Sequence, residues 1–324
     1  MMNTGYQRAG RLLTRVSRAI RKLGRIGGVH QDRVPYRDYY AISIYSGRSP
    51  LELEPATGAQ TPVLSRKDVT DVPAAYVADP FMIRVNGCWH MYFEVLREDV
   101  MKGVVGHATS LDGLTWNYHR VVLEEPFHLS YPCVFECDGD YFMIPESNLA
   151  KGVRLYKADQ FPAHWTFVGN LLDEVQYVDC SPFQFGGKWW LFAGCGTPPL
   201  RANMLRLFHA NRLTGPWTEH PASPVVSNNP HIARPAGRVV IWQDRLLRFA
   251  QDCSPRYGLR VHAYEITELT EKRYAECAAA EQAVLKESYR GWNAAGMHHM
   301  DCHPAEGGAC IACVDGWYWG PVEP

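Results

Sequence analysis

Five carboxylates in this chain occupy positions related by an interval of about fifty residues. VADPFMIRVNGCWHMYFE (77–94), LSYPCVFECDGDYFMIPE (129–146) and YVDCSPFQFGGKWWLFAG (177–194) superpose without gaps at offsets of 52 and 48, which makes Asp79, Tyr131 and Asp179 equivalent. The same superposition places Glu94, Glu146 and Gly194 at one later position. Aligning Gly307-Gly308 with Gly186-Gly187 brings Asp315 there too, and Gln251 or Asp252 is the counterpart in a fourth segment. Acids gathered around one cavity raise one another's pKa, so that one becomes a proton donor while another stays an ionised base. Such a pair is the minimum equipment for glycoside cleavage, and the distance between the carboxyls decides whether water or the protein attacks the sugar. Asp79 is the expected base or nucleophile, Glu146 the leading acid and Asp179 an electrostatic helper. The structural alternative is that these acids cap turns or pair with arginines such as Arg154, Arg206 and Arg234.

The elements that would position these residues follow from the repeat. Each segment reads as a short strand, a Gly-containing turn (Asn86-Gly87, Asp138-Gly139, Gly186-Gly187) and an aromatic-rich strand, which is a hairpin signature. Downstream of each lies an Ala, a turn and a Trp: HATSLDGLTW (107–116), KADQFPAHW (157–165) and HANRLTGPW (209–217). The unit therefore has four strands. A looser fourth copy runs through ARPAGRVVIWQDRLLRFAQD (233–252) and VHAYEITEL (261–269), and a fifth begins at HHMDCHPAEGGACIACVDGW (298–317), after a stretch read as helical around 275–290. YYAISIY (39–45) is expected to supply the outermost strand of the fifth unit and close the ring, leaving no exposed edge. The expected fold is all-β, a five-bladed propeller over residues 36–324 closed by an N-terminal strand. A pair of β-sandwiches would not keep register over three units. With innermost strands lining a channel, the expected substrate-binding residues are Glu94, Tyr131, Arg234, Gln251, Asp252, His299, Asp301 and Asp315.

Composition bounds the remaining possibilities. With 46% apolar and 21% charged residues in 324, the chain has material for a large core and is not of disordered type. No apolar run reaches the eighteen or so residues of a helical membrane span, and arginines interrupt the only apolar stretch near the start. The expected location is therefore cytoplasmic, and the ten cysteines are read as reduced thiols. The first 31 residues carry seven basic side chains and no acid, which leaves 26 basic against 34 acidic in the rest. In GRLLTRVSRAIRKLGRIGG, apolar residues recur every three or four positions, so residues 1–35 are read as a basic helical arm. Residues 8–26 would lie on an anionic membrane surface, at its inner face, each basic side chain adding roughly 1 kcal/mol. A solvated arm or an organelle transit peptide is the competing reading. The acidic body argues against nucleic acid as a partner.

No Walker, dinucleotide or Gly-x-Ser-x-Gly motif is present, and no cofactor is expected. His298, His299, Cys302, His303, Cys310 and Cys313 crowd into sixteen residues, but Cys310 and Cys313 point to opposite faces of an alternating strand. No metal is expected there. Arg234, Arg238 and Arg256 are candidates for gripping a phosphate or carboxylate, or for bracing neighbouring blades.

Two resemblances follow from the motifs. ADPF at the start of the first unit resembles glycoside hydrolase families 43, 32 and 62, five-bladed propellers with a catalytic Asp in that blade, and this likeness implies Asp79 as base or nucleophile. The sequence departs from their pattern at Tyr131, where an Asp that tunes the acid is expected, and at DCSPF in the third unit, where those enzymes carry a Glu-Gly-Pro acid motif. A closer likeness covers residues 40 to 320. The strings VADPFMI, EPFHLSYPCVFE, MIPES, FHANRLTGPW, ARPAGR, QDC and HHMD resemble the N-terminal propeller of plant glucosamine inositolphosphorylceramide transferases and its stand-alone bacterial relatives. In the plant proteins the glycosyltransferase activity is attributed to a separate C-terminal domain. The resemblance thus implies a glycan or glycolipid ligand and glycan biosynthesis, with chemistry of glycosidase type as one expectation. The other is a recognition or scaffold module that works beside a glycosyltransferase.

Overall fold

The computed structural model describes residues 36–196 and 203–322. The expected basic arm lies outside the described residues. Arg37–Gly320 forms five antiparallel sheets, one for each repeat. The first blade is Ala74–Val85, Cys88–Arg97, Lys102–Ser110 and Asn117–Leu123, and the second is Ser130–Cys137, Asp140–Glu146, Gly152–Gln160 and His164–Asp173. The third consists of Val178–Phe185, Lys188–Cys195, Met204–Ala210 and Thr218–Glu219. In the fourth, Arg234–Pro235 and Val240–Trp242 pair with Arg245–Asp252, followed by Arg260–Leu269 and then Tyr274–Ala278 and Leu285–Lys286. The expected helical stretch at 275–290 therefore contains edge strands, because it pairs with the exposed side of Arg260–Leu269.

Ring closure differs from the expectation by one strand. The fifth blade runs Gly296–Pro304, Cys310–Pro321, Tyr36–Ser49 and Glu52–Pro55. YYAISIY lies in its third strand, and Glu52–Pro55 is outermost. A tight reversal after Ser49 folds the chain back on itself, so the N-terminal segment contributes two strands.

Local chemistry explains the hairpins. Asn86 and Gly87, Asp138 and Gly139, and Gly186 and Gly187 all have positive φ, as do Gln243 and Asp244 in the fourth blade. That geometry matches the right-handed twist of the flanking strands. Alternate residues then face opposite sides of each sheet, and both sides are covered by neighbouring blades. Four apolar clusters fill the wedges: Phe81, Tyr92 and Leu129 with Val134, and Val77, Met91 and Ile42 with Cys313. Met300 with Phe249, and Phe192 with Leu246, occupy two further wedges.

The inner strands are tied across the ring by side chains. Tyr131 of the second blade accepts a hydrogen bond from Gly237 N–H of the fourth (2.6 Å) and lies 2.8 Å from Ser181 Oγ of the third. Asp301 of the fifth blade accepts Met82 N–H of the first (2.8 Å), and Arg238 of the fourth donates to Asp301 (2.7 Å) and to Val134 O of the second (2.9 Å). Gly237 has φ +125°, and a Cβ there would stand 1.7 Å from Met300 O. Only glycine lets the inner strands of the fourth and fifth blades approach so closely.

Candidate functional site at the acid end of the channel

Three of the inner strands deform at the same place. Asp79, Tyr131 and Asp179 have φ of 53°, 48° and 49°, each on the first residue of a bulge that breaks the ladder. A non-glycine residue in the left-handed region is costly, and its recurrence at aligned positions shows that the bulge turns these side chains towards the axis. The residue before each bulge faces Glu94, Glu146 and Gly194 across the ladder, and Arg234 faces Gln251 in the fourth blade. Gln251 is thus the fourth counterpart. Asp252 points elsewhere, to His231 Nδ1 (2.9 Å) and Ser254 N–H (3.0 Å). In the fifth blade the expected equivalence needs correction. The bulge there is flanked by the Gly296 and Trp317 pair, and Asp315 lies one rung further in, opposite His299.

Asp315 still reaches the acid group. It accepts the Asp79 N–H (2.9 Å) with one oxygen and His298 Nδ1–H (2.6 Å) with the other. His298 Nε2 stands 3.7 Å from Asp79 Oδ1. Burial alone would lower the His298 pKa, but Asp315, by charge and hydrogen bond, and then Asp79 push it up to about 9. Burial likewise opposes ionisation of Asp315, and the His298 cation outweighs it, holding that carboxyl below its ordinary value. His299 donates Nε2–H to Pro80 O (2.9 Å), and burial lowers its pKa to about 4, so the ring is neutral.

Asp79 itself is 5% exposed, and its Oδ1 has no hydrogen-bond partner. Burial raises its proton affinity well above that of an ordinary carboxyl; His298 opposes this, and Asp315, Asp179 and Glu94 add to it. Asp179 has a different fate. Arg234 grips it with two hydrogen bonds (2.5 and 3.1 Å), and Gln251 donates a third (2.8 Å). Glu146 accepts from Asn148 (2.8 Å) and lies 3.5 Å from Arg234; burial first, then the Asp179 charge, keep it protonated well above the usual range. Glu94 Oε1 lies 3.3 Å from His128 Nε2, outside hydrogen-bond geometry.

Aromatic rings surround this group. Tyr40 packs against Tyr76 (5.0 Å) and His298 (5.1 Å), while Tyr257 meets His298 edge-on (5.2 Å) and lies under the Arg234 guanidinium (4.9 Å). Sequence reasoning missed these tyrosines. Tyr40 was legible only as part of a closing strand, and nothing in the sequence distinguishes Tyr257 as a residue of the site. His298 was legible only within the His/Cys cluster, which the fold disperses: Cys313 donates to Pro80 O (3.0 Å), and Cys310 donates to Gly47 O (3.5 Å).

Three expected ligand residues, Tyr131, His299 and Asp301, lie deeper. Phe81, Tyr131 and His299 pack ring against ring, with centroids 4.6 to 5.1 Å apart, and fill the axis below Asp79. Below them Arg238 and Asp301 form a buried ion pair, completed by His303 (2.9 Å). Tyr131 and Asp301 are thus engaged by the protein itself. Arg256 stacks over Trp319 (5.2 Å) at the rim.

Among the described residues, Asp79, His298 and Asp315 are one group of three metal-type donors within 4.8 Å of one another. Both Asp315 oxygens accept hydrogen bonds, one from Asp79 N–H and the other from His298 Nδ1–H.

The fold and this acid-ended channel define a five-bladed propeller of the type found in glycoside hydrolases. Similar solved structures include an exo-β-1,3-galactanase from Clostridium thermocellum (TM-score 0.60, 13% identity, 78% of this chain and 62% of that one). An α-L-arabinofuranosidase from Podospora anserina matches with TM-score 0.56 at 12% identity over 76% and 92% of the two chains. Within this class the chain belongs to the family described as glucosamine inositolphosphorylceramide transferase 1, N-terminal, which matches residues 36–317. It is 36% identical over 298 residues to glucosamine inositolphosphorylceramide transferase 1 of Oryza sativa subsp. japonica, covering 86% of this chain and 40% of that protein. The Arabidopsis thaliana protein of the same name is 30% identical over 298 residues, again 86% of this chain and 39% of its own length. The chain spans about 40% of the length of these relatives.

Proposed function

We propose that this propeller binds the sugar end of a glycan or glycolipid at the acid end of its channel, as a recognition module in glycan biosynthesis. The observation that carries the reading is the unpartnered, buried Asp79 carboxyl oxygen beneath Tyr40, Tyr76 and Tyr257, while Asp179 is fully engaged by Arg234 and Gln251. An unsatisfied buried acceptor is costly, and a ligand hydroxyl or amine supplies the missing donor. The tyrosine rings offer apolar faces for a pyranose. The relatives' name, a glucosamine inositolphosphorylceramide transferase, supports a glycolipid as ligand class.

The raised proton affinity of Glu146 favours a second reading, in which it serves as a general acid with Asp79 as its carboxyl partner. A panel of glycans and aryl glycosides separates the two. Binding that is lost in Asp79→Asn, with no turnover, supports recognition. Turnover abolished by both Asp79→Asn and Glu146→Gln supports the glycosidase-like reading, and neither binding nor turnover overturns both.

Two further elements belong to this proposal. The relatives' name, a transferase of glucosamine, supports a glycosyltransferase as the partner class. The basic pattern of residues 8–26 supports peripheral attachment to an anionic membrane from the cytoplasmic side.

A further inference from the structure

We infer that the mouth of the channel at its acid end is also the face by which the propeller rests on a lipid bilayer containing anionic lipid. This rests on the glycolipid reading above and adds the surface from which the ligand is taken.

The turn that follows the second strand of each blade lies at the acid end, because Glu94, Glu146 and Gln251 stand near the ends of those strands. In four blades this turn carries an exposed apolar side chain. The first blade offers Val100 and Met101, the second Leu149, the fourth Tyr257, and the fifth Trp319 where its second strand ends. Tyr289 joins them from the connection between the fourth and fifth blades. The six are 42 to 76% exposed. One such residue alone would call for no explanation, but a ring of them around a mouth marks a surface that meets something apolar. At the opposite end, among the described residues, the large apolar side chains left exposed are Leu111, Phe185 and Ile241.

Charge is distributed to match. Lys151, Arg256 and Arg290 are exposed beside these side chains. The acids of the same segments are paired, Glu98 with Arg37, Asp99 with Arg97 and Glu287 with Arg260, and Asp38 faces Arg256. The ring therefore keeps a positive surplus. Apolar and aromatic side chains that enter a headgroup layer, with cations beside them to meet lipid phosphates, are the equipment of a protein that lies on an anionic bilayer.

Two further observations fix the same face. Arg37 enters the fifth blade beside Gly320, where the Tyr39 and Tyr318 rings stack 5.4 Å apart, and the basic residues 8–26 precede it in the chain. Attachment through that stretch pulls on the mouth and not on the hairpin end. The second observation concerns access. Phe81, Tyr131 and His299 fill the axis below Asp79, so a sugar reaches that residue from the mouth. A glycolipid keeps its acyl chains in the bilayer, and its sugar end meets Asp79 when the mouth faces the lipid.

The test is sedimentation of the full chain with vesicles of phosphatidylcholine and phosphatidylserine. Met101→Asp and Leu149→Asp should each weaken binding at least about five-fold, since each removes an apolar side chain from the lipid and adds a negative charge. Leu111→Asp, at the opposite end, should stay within about two-fold of wild type. Phosphatidylcholine brominated on its acyl chains should quench the emission of Trp319, the most exposed tryptophan among the described residues, and Trp319→Phe should remove that quenching. Thermal unfolding and binding of soluble glycans should be the same in Met101→Asp, Leu149→Asp and wild type. Variants at the mouth that sediment like wild type, a Leu111→Asp variant that weakens as much as they do, or the absence of quenching overturns the orientation and leaves glycan recognition standing. A wild-type chain that binds no soluble glycan overturns the recognition reading, whereas the quenching and the paired variants report on the face alone.

Discussion

Asp79, Tyr131 and Asp179 share one backbone deformation, yet each does something different with it. Asp79 keeps an unpartnered oxygen, Tyr131 stitches three blades together, and Asp179 is clamped by Arg234. The clamp gives a direct prediction. Arg234→Ala leaves the Asp179 carboxylate buried without its cation and should cost about 3–5 kcal/mol in urea unfolding. If the variant loses less than about 1 kcal/mol, the ion pair is not what holds Asp179. The Asp315 and His298 pair makes a prediction in pH. His298 has its pKa raised to about 9 in the folded protein, so its contribution is complete below its unfolded value, near 6.5, and is lost as pH rises through 9. Stability should fall across that interval by on the order of 3 kcal/mol from this group, and His298→Asn should flatten the decline. A wild-type profile with no fall between pH 6.5 and 9 refutes the assignment. At this scale the sequence was legible where the repeat aligned residues by position, as for Asp79 and Asp179. It was silent where the fold, and not the motif, decides the partner: no spacing rule announces that Tyr257 will lie under Arg234 or that Asp301 will be taken by Arg238.

Among the elements, the hairpins were the most legible, because Asn-Gly, Asp-Gly and Gly-Gly state their φ requirements in the sequence. The fifth blade was the least. Its turn is longer, with a short 3-10 segment at Glu306–Gly308, so aligning glycines displaced Asp315 by a rung. The stretch around 275–290 was read as helical, but edge strands need only one buried face and their pairing comes from the neighbour. Where two inner strands meet, Gly237→Ala should prevent accumulation of folded protein, since the added carbon would overlap Met300 O. A soluble, cooperatively unfolding variant with unchanged midpoint counts against that contact. The closing strands carry a related expectation. Truncation to residue 56 would bare one side of Cys310–Pro321 and remove Ile42, Ile44 and Leu53 from the wedges. Such a chain should bind a hydrophobic dye and lose its sharp thermal transition.

For the whole molecule, the sequence specified the fold class because a fifty-residue period can be recognised without knowing any single contact. It separated an acidic body from a basic N-terminal stretch with equal clarity. Deleting residues 1–31 should abolish sedimentation with vesicles rich in anionic lipid and leave the unfolding midpoint unchanged, whereas equal sedimentation of both proteins removes the membrane proposal. Ligand binding at the acid end should survive that deletion, since every residue named there lies in Arg37–Gly320.

The rings of Phe81, Tyr131 and His299, with Arg238 beneath them, make the hub a cul-de-sac. A polymer cannot be threaded through it like a bead on string, and internal residues of an unbranched chain cannot reach the floor. In the glycan-binding reading we propose, the ligand enters tip first, so ends and branch points are what the site reads, whatever length of chain trails behind.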